Sequence, residues 1–182
     1  MKKFELKVGY DESPMNPRTE WDNLGRMFCF HPRYILGDKH DYKISDFDNW
    51  DDMKRKLSKE HNVGVILPLY LYDHSGITIS TSPFGCQWDS MRVGYILVSK
   101  ETIRKEYSIT RVTKGITQKV TEVLQGEVKT FDQYLTGEVW EYCITDEDGE
   151  RVEGCSGYYD EDQCRSEGES MLKYYEENEL VG

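Results

Sequence analysis

Apolar and polar residues alternate from Phe4 to Tyr10 (Phe-Glu-Leu-Lys-Val-Gly-Tyr), the period of a strand with one buried face. Residues 11–25 contain Pro14, Asn16, Pro17, Asn23 and Gly25, a density of turn formers that predicts a long loop. A short strand is expected at 26–30, stopped by His31-Pro32. The period then changes. Phe47, Trp50, Met53 and Leu57 recur at spacings of three and four, which places them on one face of a helix over 46–60. Ser45 is the expected N-cap, Asp46 and Asp48 favour the positive end of the helix dipole, and Lys54, Arg55, Lys56 and Lys59 fall towards its other end.

The most apolar run, 63–72, reads as a buried strand, and Pro68 within it implies an edge or a bulge because proline lacks an N–H. Asp73-His74-Ser75-Gly76 turns the chain into a strand at 77–81, and a further strand is expected at 92–99. Ser99 caps a short helix over 100–107, and separate helical stretches are expected near 114–124 and 131–135. Strands at 138–145 and 150–157 flank Asp146-Glu147-Asp148-Gly149, whose Asp-Gly pair predicts a hairpin. A helix over 160–178 ends the pattern, with a thin apolar side of Cys164, Met171, Leu172 and Tyr175. Hairpins without steady β-α alternation predict an α+β fold, with a mixed or antiparallel sheet, flanking helices and a C-terminal acidic hairpin and helix. At 182 residues the chain is expected to form one domain, with a near-neutral core region at 1–145 and an acidic hairpin arm and terminal helix at 146–182.

Charge is what changes this picture. The chain has a net charge of −11, and residues 146–182 alone hold 13 Asp and Glu against Arg151, Arg165 and Lys173, a net of −10. Such a chain is repelled by free nucleic acid and attracted to cationic surfaces, of which nucleic-acid-binding proteins carry the largest. No apolar stretch approaches the ~20 residues of a membrane span, and the N-terminus lacks the pattern of a signal peptide. The five cysteines (29, 86, 143, 155 and 164) form an odd set without a C-x-x-C pair, which fits reduced thiols in an intracellular, cytoplasmic chain.

Catalytic patterns are weak. Asp73, His74 and Ser75 are the residue types of a serine triad, but neighbours in a turn do not converge, and no G-x-S-x-G is present. Cys86 with His74 is a conceivable nucleophile and base, and leaves open a thiol-dependent enzyme. No histidine pair has metal-ligand spacing, and Asp146-x-Asp148-Gly149 opens like a calcium loop but reaches Gly157 where the bidentate Glu belongs. No cofactor is implied. The basic groups Lys54, Arg55, Lys56, Lys59 and Arg104, Lys105, Arg111, Lys114 leave open a DNA-binding accessory protein.

The acidic end is the stronger candidate. Asp146, Glu147, Asp148 and Glu150 crowd the hairpin tip, and Tyr158 and Tyr159 precede Asp160, Glu161 and Asp162 at a helix start. Carboxylates beside aromatic anchors have the composition of a protein interface for a basic partner. Acids in a first helical turn also have a purely structural use.

Two stretches carry a family resemblance: Gly9-Tyr-Asp-Glu-Ser-Pro-Met-Asn-Pro-Arg18 continuing to Gly25, and Ile66-Leu-Pro-Leu-Tyr-Leu-Tyr-Asp-His-Ser-Gly76 through Phe84–Gly94. They resemble a family of small proteins of bacteriophages and mobile elements, and in length and acidity the chain looks like anti-CRISPR inhibitors of type II-A effector nucleases. The resemblance implies a non-catalytic inhibitor. Its partner would be a host enzyme with a basic nucleic-acid-binding surface, such as a guide-RNA-loaded effector, in which target binding or cleavage is blocked. It transfers no site residues.

Overall fold

The alternation at Leu6 and Val8 becomes strand β1 (Glu5–Tyr10), and its partner is far away in sequence. The computed structural model describes residues 3–85 and 90–178. The chain folds as two compact units, residues 1–16 with 133–182 and residues 17–132. The fold is α+β, and its two sheets are antiparallel throughout. The acidic hairpin and terminal helix thus belong to the same unit as the first strand.

The larger unit runs through a helical turn α1 (Pro17–Glu20), strand β2 (Arg26–Cys29), helix α2 (Trp50–Glu60), strands β3 (Val63–Asp73), β4 (Ile77–Ser80) and β5 (Ser90–Ser99), and helix α3 (Lys100–Glu106). The strand order is β2-β5-β3-β4. Strand β4 pairs only with residues 70–73 of β3. Among the described residues, Pro68 therefore has no strand neighbour on the β4 side, and it lies just before a register shift at Leu69/Tyr70, which suits a residue without an N–H.

Met53 and Leu57 of α2 are fully buried against Phe28, Tyr95 and Leu97 of the sheet. The start of α2 differs from the expectation. Residues 44–46 form a separate 3-10 turn, and Asn49 caps α2, its side-chain oxygen accepting from the Asp52 N–H at 2.9 Å. Phe47 lies outside the helix yet packs on the same cluster, so the apolar spacing ran past the true boundary. Ser99 caps α3 as predicted, accepting from the Thr102 N–H at 2.9 Å.

The helices expected at 114–124 and 131–135 are one helix, α4 (Lys114–Thr136). Its buried residues Val120, Leu124, Val128 and Phe131 continue one apolar stripe straight across Gly126. The helix carries the chain from the larger unit into the smaller.

In the smaller unit, β6 (Trp140–Thr145) and β7 (Arg151–Tyr158) form the predicted hairpin, and β1 adds to the free side of β6. Gly149, at φ 81°, supplies the left-handed residue of the turn. Helix α5 (Glu161–Asn178) covers one face of this sheet. Gly168 makes the approach possible: a Cβ there would lie 2.8 Å from Leu6 Cδ1 and 3.2 Å from the Tyr142 ring. Ile144, Tyr142, Phe4 and Cys164 form the buried core, with Leu172, Met171 and Tyr175 around it.

Candidate partner-binding surface

The units divide the charge more sharply than the chain ends do. Residues 1–16 and 133–182 hold 18 acidic and six basic side chains, a net of −12. Residues 17–132 hold 16 acidic and 17 basic, a net of +1. Every net negative charge of the protein belongs to the smaller unit.

The candidate carboxylates fall at two places. Asp146 to Glu150 form the hairpin tip, whereas Asp160, Glu161 and Asp162 lie past the far end of β7. The eight residues of that strand separate them by roughly 25 Å at ~3.3 Å per residue. They are two patches and not one row.

At the tip, Asp146 holds the turn. Its Oδ1 accepts from the N–H groups of Asp148 at 3.1 Å and Glu150 at 2.9 Å, and backbone bonds between Asp146 and Glu150 and from Gly149 to Asp146 close the loop. Glu147, Asp148 and Glu150 are exposed, and none has an ion-pair partner among the described residues. Those three are the available charges of the tip.

At the other patch, structural duties dominate. Asp160 caps α5, accepting from the Gln163 N–H at 2.8 Å, and Glu161 pairs with Arg165 at 3.0 Å. Asp162 is exposed in the first turn. Tyr158 is half-buried, its ring 6.1 Å from that of Tyr142, and its hydroxyl donates to Glu167 at 2.7 Å. Burial, followed by its hydrogen bonds, pushes the Tyr158 phenol well up, while its hydroxyl and then Gln163 hold the Glu167 carboxyl below the usual range. Tyr159 is also half-buried, and its carbonyl accepts from Gln133 at 2.9 Å. Both tyrosines are half-buried in the unit and leave part of each residue at the surface.

Two residues outside the predicted set join the tip. Helix α5 runs back along the sheet, so that Tyr175 meets Phe4, with ring centroids 5.5 Å apart, and donates to Glu153 at 3.5 Å. Since Glu5 pairs with Thr145, the last turn of α5 returns to the tip end and brings exposed Glu176 and Glu177 there. Glu177 has Lys173 at 3.7 Å. A sequence signal for this pair exists: acids in a last helical turn oppose the dipole, so the dipole gives no reason for them.

The catalytic candidates fare differently. The Asp73 carboxylate is engaged by Arg33 and by the Tyr34 hydroxyl, so it does not orient His74, whose ring stacks on Tyr72. Ser75 Oγ lies 3.4 Å from His74 Nδ1. Cys86 lies outside the described residues. Cys29, Cys143, Cys155 and Cys164 are free thiols, and burial pushes the Cys29 thiol up to about 12. Among the described residues there is no group of three or more His, Cys, Asp or Glu suited to a metal, and no helix long and apolar enough to cross a membrane. Within the basic groups, Arg55 and Lys56 both bind buried Asp52, which offsets one of their two charges. Comparison with protein-family models, curated proteins and solved structures finds no match.

Proposed function

We propose that the chain is a non-catalytic inhibitor that binds a host enzyme with a basic nucleic-acid groove, foremost a type II CRISPR effector nuclease in the bacterial cytoplasm. It blocks target DNA binding or cleavage by occupying cationic surface that the nucleic acid needs. The observation that carries this reading is the confinement of all net negative charge to one 66-residue unit. A field concentrated in this way raises the association rate with a cationic partner and competes with phosphates for the same side chains. The family resemblance of residues 9–25 and 66–94 points to the same class of target. Glu147, Asp148 and Glu150, with Glu176 and Glu177, are the contact residues of choice, because none of the five carboxylates caps or closes an element.

The experiment is neutralisation without touching Asp146 or Asp160. A variant with Glu147→Gln, Asp148→Asn, Glu150→Gln, Glu176→Gln and Glu177→Gln is assayed for inhibition of DNA cleavage by a guide-loaded type II-A nuclease, alongside its thermal unfolding. Inhibition by the parent chain that weakens with added salt, and is lost in a still-folded variant, supports the reading. Full inhibition by the variant, or none by the parent chain, overturns it.

A further inference from the structure

In the larger unit, Tyr42 stands between two clefts of about 550 and 500 Å³, a size that suits small molecules. The first has an aromatic floor: the rings of Tyr42 and Phe47 lie 5.9 Å apart at 43°, half-buried on top of the Phe28, Met53 and Leu57 cluster. Its polar groups are unequal. The Lys56 ammonium is committed to Asp52 and to the Asp46 carbonyl, both at 2.9 Å, and the Asp46 carboxylate accepts from the Lys43 N–H at 2.7 Å. Lys59, exposed on the same wall, has no ion-pair partner among the described residues. Glu60 lies beside the Tyr42 phenol, whose oxygen is 3.0 Å from His61 Nε2. The cleft therefore offers the Tyr42 ring, a Phe47 ring whose centroid lies 5.7 Å from the Lys56 ammonium, one cation without an ion-pair partner, and the carboxylates of Asp46 and of Glu60, the latter already accepting from the Tyr42 hydroxyl.

We propose that this cleft binds a nucleoside monophosphate unit, with the base against Tyr42 and Phe47, the phosphate on Lys59, and a sugar hydroxyl or exocyclic amine donating to Glu60. Each part of that ligand answers one feature of the site. Ring stacking on aromatic side chains tolerates any base, and a flexible lysine suits phosphate as a point charge. A purely apolar ligand would leave Lys59 and Glu60 unanswered, and a simple anion would leave the rings bare. The site lies outside the acidic unit and does not depend on the function proposed for it.

Amide chemical shifts of the full chain report binding directly. Adenosine 5′-monophosphate is titrated, with adenosine, ribose 5-phosphate and a 5′-phosphorylated adenine dinucleotide as separate arms. The monophosphate is expected to shift the amides of Tyr42, Phe47, Lys59 and Glu60 saturably in the micromolar to millimolar range, and the two fragments to bind more weakly. Tighter binding of the dinucleotide identifies the end of a strand as the source of the unit, and equal or weaker binding identifies the free nucleotide. Lys59→Ala, at an exposed position that leaves the fold intact, should weaken the monophosphate by about tenfold. Lys39→Ala in the neighbouring cleft should leave it unchanged. Absence of saturable shifts, shifts elsewhere, ribose 5-phosphate binding as tightly as the monophosphate, or an unaffected Lys59→Ala variant would each overturn the proposal.

Discussion

Arg18 and Glu127, 109 residues apart in sequence, form an ion pair at 3.0 Å in which the arginine side chain is 1% exposed. The same guanidinium binds Asp38 through two bonds, at 2.9 and 2.6 Å, and donates to the Gly25 carbonyl at 2.6 Å. The carboxylates are satisfied in turn: Glu127 accepts from the N–H groups of Leu24 and Gly25, and Asp38 from Met27. One buried cation, lying in the helical turn α1 that interrupts the expected loop at 11–25, thus ties that turn to Gly25, the segment after β2 and helix α4. Desolvating three charges is tolerable here because almost every donor and acceptor has a partner.

Arg18→Met should therefore be strongly destabilising. It leaves two carboxylates facing each other with their cation removed, and breaking such a buried group costs about 3–5 kcal/mol. Equilibrium urea unfolding gives the value. A loss below about 1 kcal/mol would show that water or rearrangement replaces the arginine.

Local chemistry was legible in the sequence, and long-range partnership was not. Ser99 before an apolar run, and Asp-Gly between two alternating segments, specify a cap and a hairpin within a few residues, and both are present. Nothing local states that β1 pairs with β6, since any half-buried strand offers the same edge. Arg18 sits among prolines and asparagines, where a surface role is the natural reading, and its burial depends on a helix more than a hundred residues later. In the candidate surface, the composition was readable but the geometry was not. Placing the two acidic patches needed the direction of β7, and finding Glu176 beside the tip needed the return of α5.

The caps around α2 give a paired test. Ser45 and Asn49 both have N-cap chemistry, but only Asn49 accepts the Asp52 N–H. Asn49→Ala should cost about 1 kcal/mol, and Ser45→Ala less than about 0.5 kcal/mol. Thermal unfolding of the two variants distinguishes them, and the reverse order would place the helix start at the 3-10 turn.

Gly126 lies inside α4, and a Cβ built on it meets nothing within 4 Å. Gly126→Ala should stabilise the protein by about 0.5–1 kcal/mol, because alanine loses less backbone freedom in a helix interior and nothing crowds it. A destabilised variant would mean that the helix needs to bend or be approached closely at that point.

The tip carboxylates differ in what they support. Asp146→Ala removes the acceptor of two turn N–H groups and should cost about 1 kcal/mol, whereas Glu147→Gln, Asp148→Asn and Glu150→Gln should each stay within about 0.5 kcal/mol. Denaturant midpoints measure this. Equal losses at all four positions would indicate that repulsion or general charge, and not the Asp146 bonds, governs the turn.

Alkaline titration reads the buried phenols. Burial is the leading cause that pushes up six of the 13 tyrosines, Tyr42, Tyr95, Tyr142, Tyr158, Tyr159 and Tyr175, with Glu60 adding to the shift at Tyr42, which reaches about 12. A raised folded value means that the fold favours the protonated phenol. The stability contributed is complete below the unfolded value of about 10, and is lost as the pH rises through the folded values. Absorbance of the ionised phenol at successive pH values should lag behind the curve in denaturant, and unfolding free energy should fall steadily above pH ~10. If all phenols ionise together with the denatured chain while stability holds constant, these six rings are not packed as the structure places them.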